Sequence, residues 1–484
     1  MSQLAVGVLL ARLLTPADFG LMTLGFLVLA VVQPLGDLGI GSAIVQRATI
    51  SDSHVRTAFT FSVLRGLGGA AMIALTAPVG AFVMRDPGVA PVLRGLAASY
   101  AAGGMGVVAG ALLQRRMDFK RKFFIDAVSY LSGYGGVATV LALTGHGVWS
   151  LVWGNLVQTS IASCGLLVTA QHPARPLLAR RELRELLQFG VGSSLSACVN
   201  YVARNADNIV VGRSMGATSL GIYSRAYNLM NLPHSYAASM MSNVLFPAIA
   251  QAQGDQARVR RVYLLLTRLA AIVAGPAMGT LAVVAPHLVT TLYGPQWTGA
   301  VFPLQILCVA GYFRALYHIG GVVAQGVGRV YGELRNQAVY AILVIGGSLL
   351  GLRYGLPGVA AAVSVAIIYM FFATAMLASS ATGAALSSYW RVQVGAFVTA
   401  GVTCAFTLTI QLGLESWRVS SGLTTLLALV AAAIPWSAGM LWTLGEPDVE
   451  PLRARSPRWC KRLVAALRRR TELYPRRPMP GSDR

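Results

Sequence analysis

Ser193, Ser196, Asn200, Arg204, Asp207 and Asn208 fall inside a largely apolar stretch at residues 193–208. Their spacing of three and four places them on one face of a helix. The next apolar run carries Tyr223, Tyr227, Asn231 and His234 at similar spacing, beside Arg225. A third run shows Arg314, His318 and Gln325 on one face, with Gly311 and Gly321 permitting close approach. Isolated charges recur elsewhere in apolar sequence, at Asp37, Arg65, Arg94, Asp126 and Arg268.

The chemistry these residues suit is the holding of an anion. Ionisable groups at membrane depth are costly and face a cavity or a partner. Arg65, Arg268 and Arg314 have no carboxylate within a helical turn, so the excess of deep arginine predicts a water-filled, electropositive cavity suited to a phosphate-like group. For Arg204 and Asp207 a second reading stays open, an i,i+3 ion pair that neutralises itself and locks helix packing. Arg94 and Arg225 are expected to snorkel to an interface from helix ends. Asp37 follows Pro34 and Gly36 and precedes Gly39 and Gly41, which predicts a kink. That kink suits a hinge or gate, and equally the packing of small residues.

The elements that position these groups are membrane helices. Of 484 residues, 55% are hydrophobic and 12% charged, against roughly a quarter charged in a soluble domain. Apolar runs of about 20 residues recur along nearly the whole chain. We place fourteen spans, near 2–14, 19–46, 58–84, 91–114, 122–144, 147–170, 187–211, 218–248, 264–292, 298–326, 332–353, 356–380, 390–412 and 420–443. The net charge of +22 fits membrane topology and not nucleic-acid binding, because the basic residues cluster in alternate loops and the tail. They include RRMDFKRK at 115–122, ARRELR at 179–184, RVRR at 258–261 and the tail from Arg453. By the positive-inside rule both termini face the cytoplasm. LLARRELRELLQF at 177–189 and the tail around Trp459 and Leu463 read as interfacial helices or as solvated basic segments.

An internal repeat organises the spans. ARLLTPADFGLM at 11–22 aligns without a gap on GRSMGATSLGIY at 212–223, so that Arg12 falls on Arg213 and Gly20 on Gly221. LLQRRMDFK at 112–120 and HGVWSL at 146–151 find weaker counterparts at 323–331 and 357–362. The expected architecture is an all-α polytopic membrane protein with two parallel-related six-helix lobes and two C-terminal helices. Its expected domains are an N-lobe at 1–185, a C-lobe at 186–385, spans 13 and 14 at 386–444, and a basic cytoplasmic tail at 445–484. The repeat also predicts that the first helix lacks roughly its first half, as from a misplaced start, and is too short to cross.

The stretches LARLLTPADFGLMTLGF, GDLGIGSAIVQR, LLQRRMDFKRK, RNADNIVVGRSMGATSLGIYSRAY, NVLFPAIAQ and LYGPQW resemble the Wzx-type polysaccharide and lipopolysaccharide biosynthesis flippases of the multidrug/oligosaccharidyl-lipid/polysaccharide exporter superfamily. The resemblance covers almost the whole chain and is most specific from Arg204 to Tyr227. It implies movement of an undecaprenyl-pyrophosphate-linked oligosaccharide across the bacterial inner membrane by alternating access, the two lobes forming a V. The partners it implies are that lipid-linked substrate, membrane lipids, and polysaccharide polymerase or export machinery. Arg204, Arg65, Arg268 and Arg314 would then hold the pyrophosphate. Asp207 would orient Arg204, Tyr223 and Tyr227 would stack on sugars, and Asn200, Asn208 and His318 would complete the cavity.

Other function classes fit less well. A cation-coupled drug antiporter of the same superfamily needs deep acids, whereas this chain offers mainly deep arginines. A polysaccharide polymerase would carry a large outward loop, and the expected outward loops, such as GHG at 145–147, are short. The six histidines form no ligand pair and the five cysteines no metal spacing, so neither metal nor cofactor is expected. No nucleophile–base constellation or nucleotide loop supports an enzyme.

Overall fold

The computed structural model describes residues 2–37, 39–47, 49–172, 175–187, 201–202, 204–251, 256–417 and 419–444. In chain order the helices are α1 (Ser2–Leu13), α2 (Pro16–Asp37), α3 (Ile40–Gln46), α4 (Asp52–Met84), α5 (Val89–Arg115), α6 (Phe119–Tyr130), α7 (Thr139–Leu143) and α8 (Val148–Ala170). After α9 at 180–187 follow α10 (Ala206–Gln251), α11 (Gln256–Tyr293), α12 (Val301–Gly326), α13 (Val330–Gly351), α14 (Gly355–Thr382), α15 (Leu386–Ser416) and α16 (Ser421–Leu444).

Among the described residues, eight helical stretches are long and apolar enough to cross a bilayer, and two shorter apolar helices precede them. These ten stretches cover eleven of the fourteen expected spans, with Tyr331–Thr382 taking in the eleventh and twelfth together. The fifth falls on α6 and α7, the seventh and eighth on α10, and 188–200 of the seventh lie outside the described residues, as does the basic tail from 445. Spans 7 and 8 meet inside α10, where Gly216 departs from helical geometry at φ 81° and ψ 178°. Only glycine takes that conformation readily. The kink expected near Asp37 is a complete break: α2 ends there and α3 starts at Ile40. The Asp37 side chain itself lies outside the described residues. Span 5 is a composite, with a π-helical turn at Leu131–Ala138 between α6 and α7.

Local chemistry sets the helix starts. Pro16 opens α2 behind a capping box in which the Thr15 amide donates to Asp18 Oδ2 at 2.9 Å and the Asp18 amide donates to Thr15 Oγ1 at 3.3 Å. Ser51 caps α4 by accepting from the His54 amide, and Asp118 caps α6 by accepting from the Arg121 amide.

Contacts divide the chain into two compact units. The first comprises Met1–Asn228, Val289–Pro303 and Ala341–Val363; the second comprises Leu229–Leu288, Leu304–Tyr340 and Ser364–Arg484. In the first unit α5 is the central helix, and one core cluster joins Ile40 and Ile44 of α3, Val55 and Ala58 of α4, Val108 and Leu112 of α5 and Leu186 of α9. The outward faces stay apolar, with Leu75 and Phe82 of α4 about 80% exposed, which is what a lipid-facing helix requires. In the second unit α15 buries a small and polar stripe through Gln393, Thr399, Thr403 and Thr407. Gln393 Oε1 there accepts from the Tyr312 hydroxyl at 3.1 Å. Such polar contacts bind helices where lipid removes the hydrophobic drive.

Candidate functional site

The first unit contains two adjoining cavities, with Phe26 in the wall of each. One, of about 270 Å3, is lined by Arg65, Ser99, Tyr100, Asn155, Thr159 and Tyr201 among others. Arg65 comes from the middle of α4 and Tyr100 from α5. The guanidinium donates to the Tyr100 hydroxyl at 3.3 Å and lies 5.5 Å from the ring centroid.

The second cavity, of about 220 Å3, is built around Arg225. Here the expected snorkelling of Arg225 is corrected. Its guanidinium lies 3.8 Å from the Phe19 ring centroid, 5.9 Å from that of Tyr293 and 6.0 Å from that of Trp297. Phe19 and Trp297 meet edge-on, with centroids 5.5 Å apart. Thr23, Tyr134, Ser224 and Asn228 supply the polar part of the lining. The ion pairs found among the described residues use Arg47, Arg121, Lys122, Arg181, His54 and His287, not Arg225. The aromatic faces hold the cation by their quadrupoles without neutralising it, so the charge stays available to an anion. Arg94, the companion residue, is exposed.

Asp207 and Arg204 do not form the ion pair that the spacing allowed. Arg204 is exposed, whereas Asp207 is buried and accepts from the Tyr223 hydroxyl at 2.8 Å. The single turn between them, at Asn205, points the two side chains into different surroundings. Asp207 therefore does not orient Arg204. Tyr223 is fully buried, Tyr227 nearly so, and their rings lie 6.0 Å apart. They pack on each other in this conformation and present no open face for a sugar. Asn208 is also buried, and Asn200 lies outside the described residues. Arg268, Arg314 and His318 belong to the second unit, where each is half-buried. Asp126, an isolated acid in the sequence, pairs with Lys122 at 2.8 Å.

What sequence reading missed is the aromatic cage. Its parts come from α2, α10 and the 293–297 segment, and no local spacing links them. One signal was available: Arg225 lies one helical turn beyond Gly221, a repeat-matched glycine, on the same face.

Comparison with known proteins places the chain. The model of a family described as "Polysaccharide biosynthesis protein" matches residues 9–302, more than half of the chain. The chain belongs to this polysaccharide biosynthesis family. It is 27% identical over 353 residues to the lipopolysaccharide biosynthesis protein WzxC of Escherichia coli (strain K12), covering 71% of each chain. It is 27% identical over 311 residues to the succinoglycan biosynthesis transport protein ExoT of Rhizobium meliloti (strain 1021), covering 62% of this chain and 61% of that one. Among solved structures, this family member shares its fold with the lipid II flippase MurJ in an inward closed conformation. The TM-score is 0.73 at 12% identity, covering 91% and 96% of the two chains. An inward-facing multidrug transporter of the MATE family matches with a TM-score of 0.62 at 18% identity, covering 81% and 93%.

Proposed function

We propose that this protein carries a lipid-linked oligosaccharide with a pyrophosphate bridge from the cytoplasmic to the outer leaflet of the bacterial inner membrane, by alternating access. The observation that carries the reading is Arg225: a guanidinium held by aromatic rings in a polar cavity, with no carboxylate paired to it among the described residues. Phosphate oxygens are among the groups that a guanidinium recognises through paired donors. Arg65, in the adjoining cavity, offers a second contact. The relatives named for lipopolysaccharide and succinoglycan biosynthesis support this cargo class, and the shared fold with MurJ supports the transport mode. Both termini lie in the cytoplasm in this reading, following the basic loops.

The test is complementation of a strain lacking its own flippase, scored by surface polysaccharide. Arg225→Gln at matched abundance is expected to abolish export, Arg225→Lys to retain part of it, and Arg94→Gln to leave it intact. Full restoration by Arg225→Gln would overturn the site.

A further inference from the structure

The internal repeat reappears in space as a reciprocal contact. Gly20 on α2 and Gly221 on α10 are equivalent in the alignment, and so are Pro16 and Ala217. In the fold these four residues meet crosswise. A Cβ built at Gly20 would overlap the Ala217 carbonyl, and one built at Gly221 would overlap the Pro16 carbonyl. The two helix starts therefore cross backbone to backbone about a local two-fold.

The repeat-matched arginines obey the same symmetry. Arg12 Nε donates to the carbonyl of Leu292 at 3.0 Å, and its Nη2 donates to that of Thr291. Arg213 Nη1 donates to the carbonyl of Val83. Leu292 is the penultimate residue of α11 and Val83 the penultimate residue of α4, the third and ninth spans, which occupy the same place in the two halves. Each arginine thus caps the C-terminus of the other half's third helix. The last carbonyls of a helix have no partner within it and carry the negative end of its dipole, so a guanidinium there meets both needs. Trp297 Nε1 adds a bond to the Ala11 carbonyl at 2.8 Å.

These contacts lie at the end of the first unit opposite the arginine-rich loops at 115–122 and 175–184. We infer that Arg12 and Arg213 form a symmetric latch holding this end shut while cargo loads from the other side, an inference that rests on the alternating-access reading above. Both arginines are exposed, so water can replace each cap when the end opens. The small backbone crossing lets the helix starts separate without unpacking large side chains. Arg225 stands one turn below the crossing and lies over Phe19, the neighbour of Gly20. An anion that draws Arg225 off that ring would loosen the crossing from within.

The test reads conformation and not transport, so it stands apart from the identity of the cargo. Thr23, in the cavity below the crossing, is changed to Cys in a background where the five native cysteines are Ser. An impermeant maleimide is then applied to right-side-out and, separately, to inverted vesicles. Each cap is worth roughly a two- to fivefold shift in the open–closed equilibrium. Arg12→Gln or Arg213→Gln should therefore raise labelling from the latched side by that factor, and the double variant on the order of tenfold, with labelling from the opposite side falling. Arg12→Lys and Arg213→Lys, which keep a donor, should stay near the parent. Unchanged labelling in the double variant, at normal yield and with a monodisperse profile, would overturn the latch. If the double variant misfolds, the single variants decide: a rise from one arginine alone, or from both sides of the membrane equally, overturns it.

Discussion

At the scale of single residues, the neighbours of a charge decide whether it is structural or free to bind. Asp207 and Arg225 show the contrast within one unit. Asp207 is buried against a tyrosine hydroxyl, and Arg225 is held by ring faces with no acid paired to it among the described residues. A buried donor or acceptor stripped of its partner costs about 1–3 kcal/mol. Tyr223→Phe is accordingly expected to lower the thermal unfolding midpoint in detergent. Asp207→Asn, whose amide oxygen still accepts from Tyr223, should cost less. A midpoint that falls as far in Asp207→Asn as in Tyr223→Phe would show that the carboxylate charge itself stabilises the fold.

At the scale of elements, one carboxylate ties α9 to the loop end of α3 and the start of α4. Glu185 accepts from Arg47 and from His54 at 3.3 Å, and pairs with Arg181 at 3.2 Å along its own helix. The hydrogen bond from His54, followed by those from Arg47 and Arg181, lowers its pKa from 4.5 to about 2. A carboxyl whose folded pKa is depressed stabilises the fold above its unfolded value and loses that contribution as pH falls through the folded one. The tie is therefore at full strength above about pH 4.5 and disappears toward pH 2. Melting curves in detergent should show an acid limb across that window that shrinks in Glu185→Gln. High salt should weaken it, because the group is partly exposed. An unchanged limb in Glu185→Gln would mean that other acids carry it.

At the scale of the whole molecule, charge asymmetry predicts an orientation. The exposed basic rim includes Arg116, Lys120, Arg121, Arg181 and Arg184, and exposed Phe119, Phe123 and Phe124 accompany it, a combination suited to an anionic inner leaflet. The exposed turn at 144–147 joins α7 to α8 at their other ends. His146→Cys is expected to react with an impermeant maleimide in right-side-out vesicles, and Lys120→Cys only in inverted ones. The reverse pattern would invert the proposed direction of transport.

The apolar spans and the residue matches of the repeat were legible in the sequence because each is a property of residue order, whereas the complete break inside span 2 and the one inside span 5 were not. The cap at Thr15 and the glycine break at 216 came from the structure, whereas apolar length acts within a few residues of itself. Matching Arg12 to Arg213 and Gly20 to Gly221 likewise needed only the order of residues. That these pairs cross and cap one another, that Arg204 stays exposed, and that Arg225 rests among Phe19, Tyr293 and Trp297 came from the tertiary structure alone. Burial depends on which helices meet. The partners of Arg225 lie about 200 residues before it and 70 after it, beyond the reach of any periodicity.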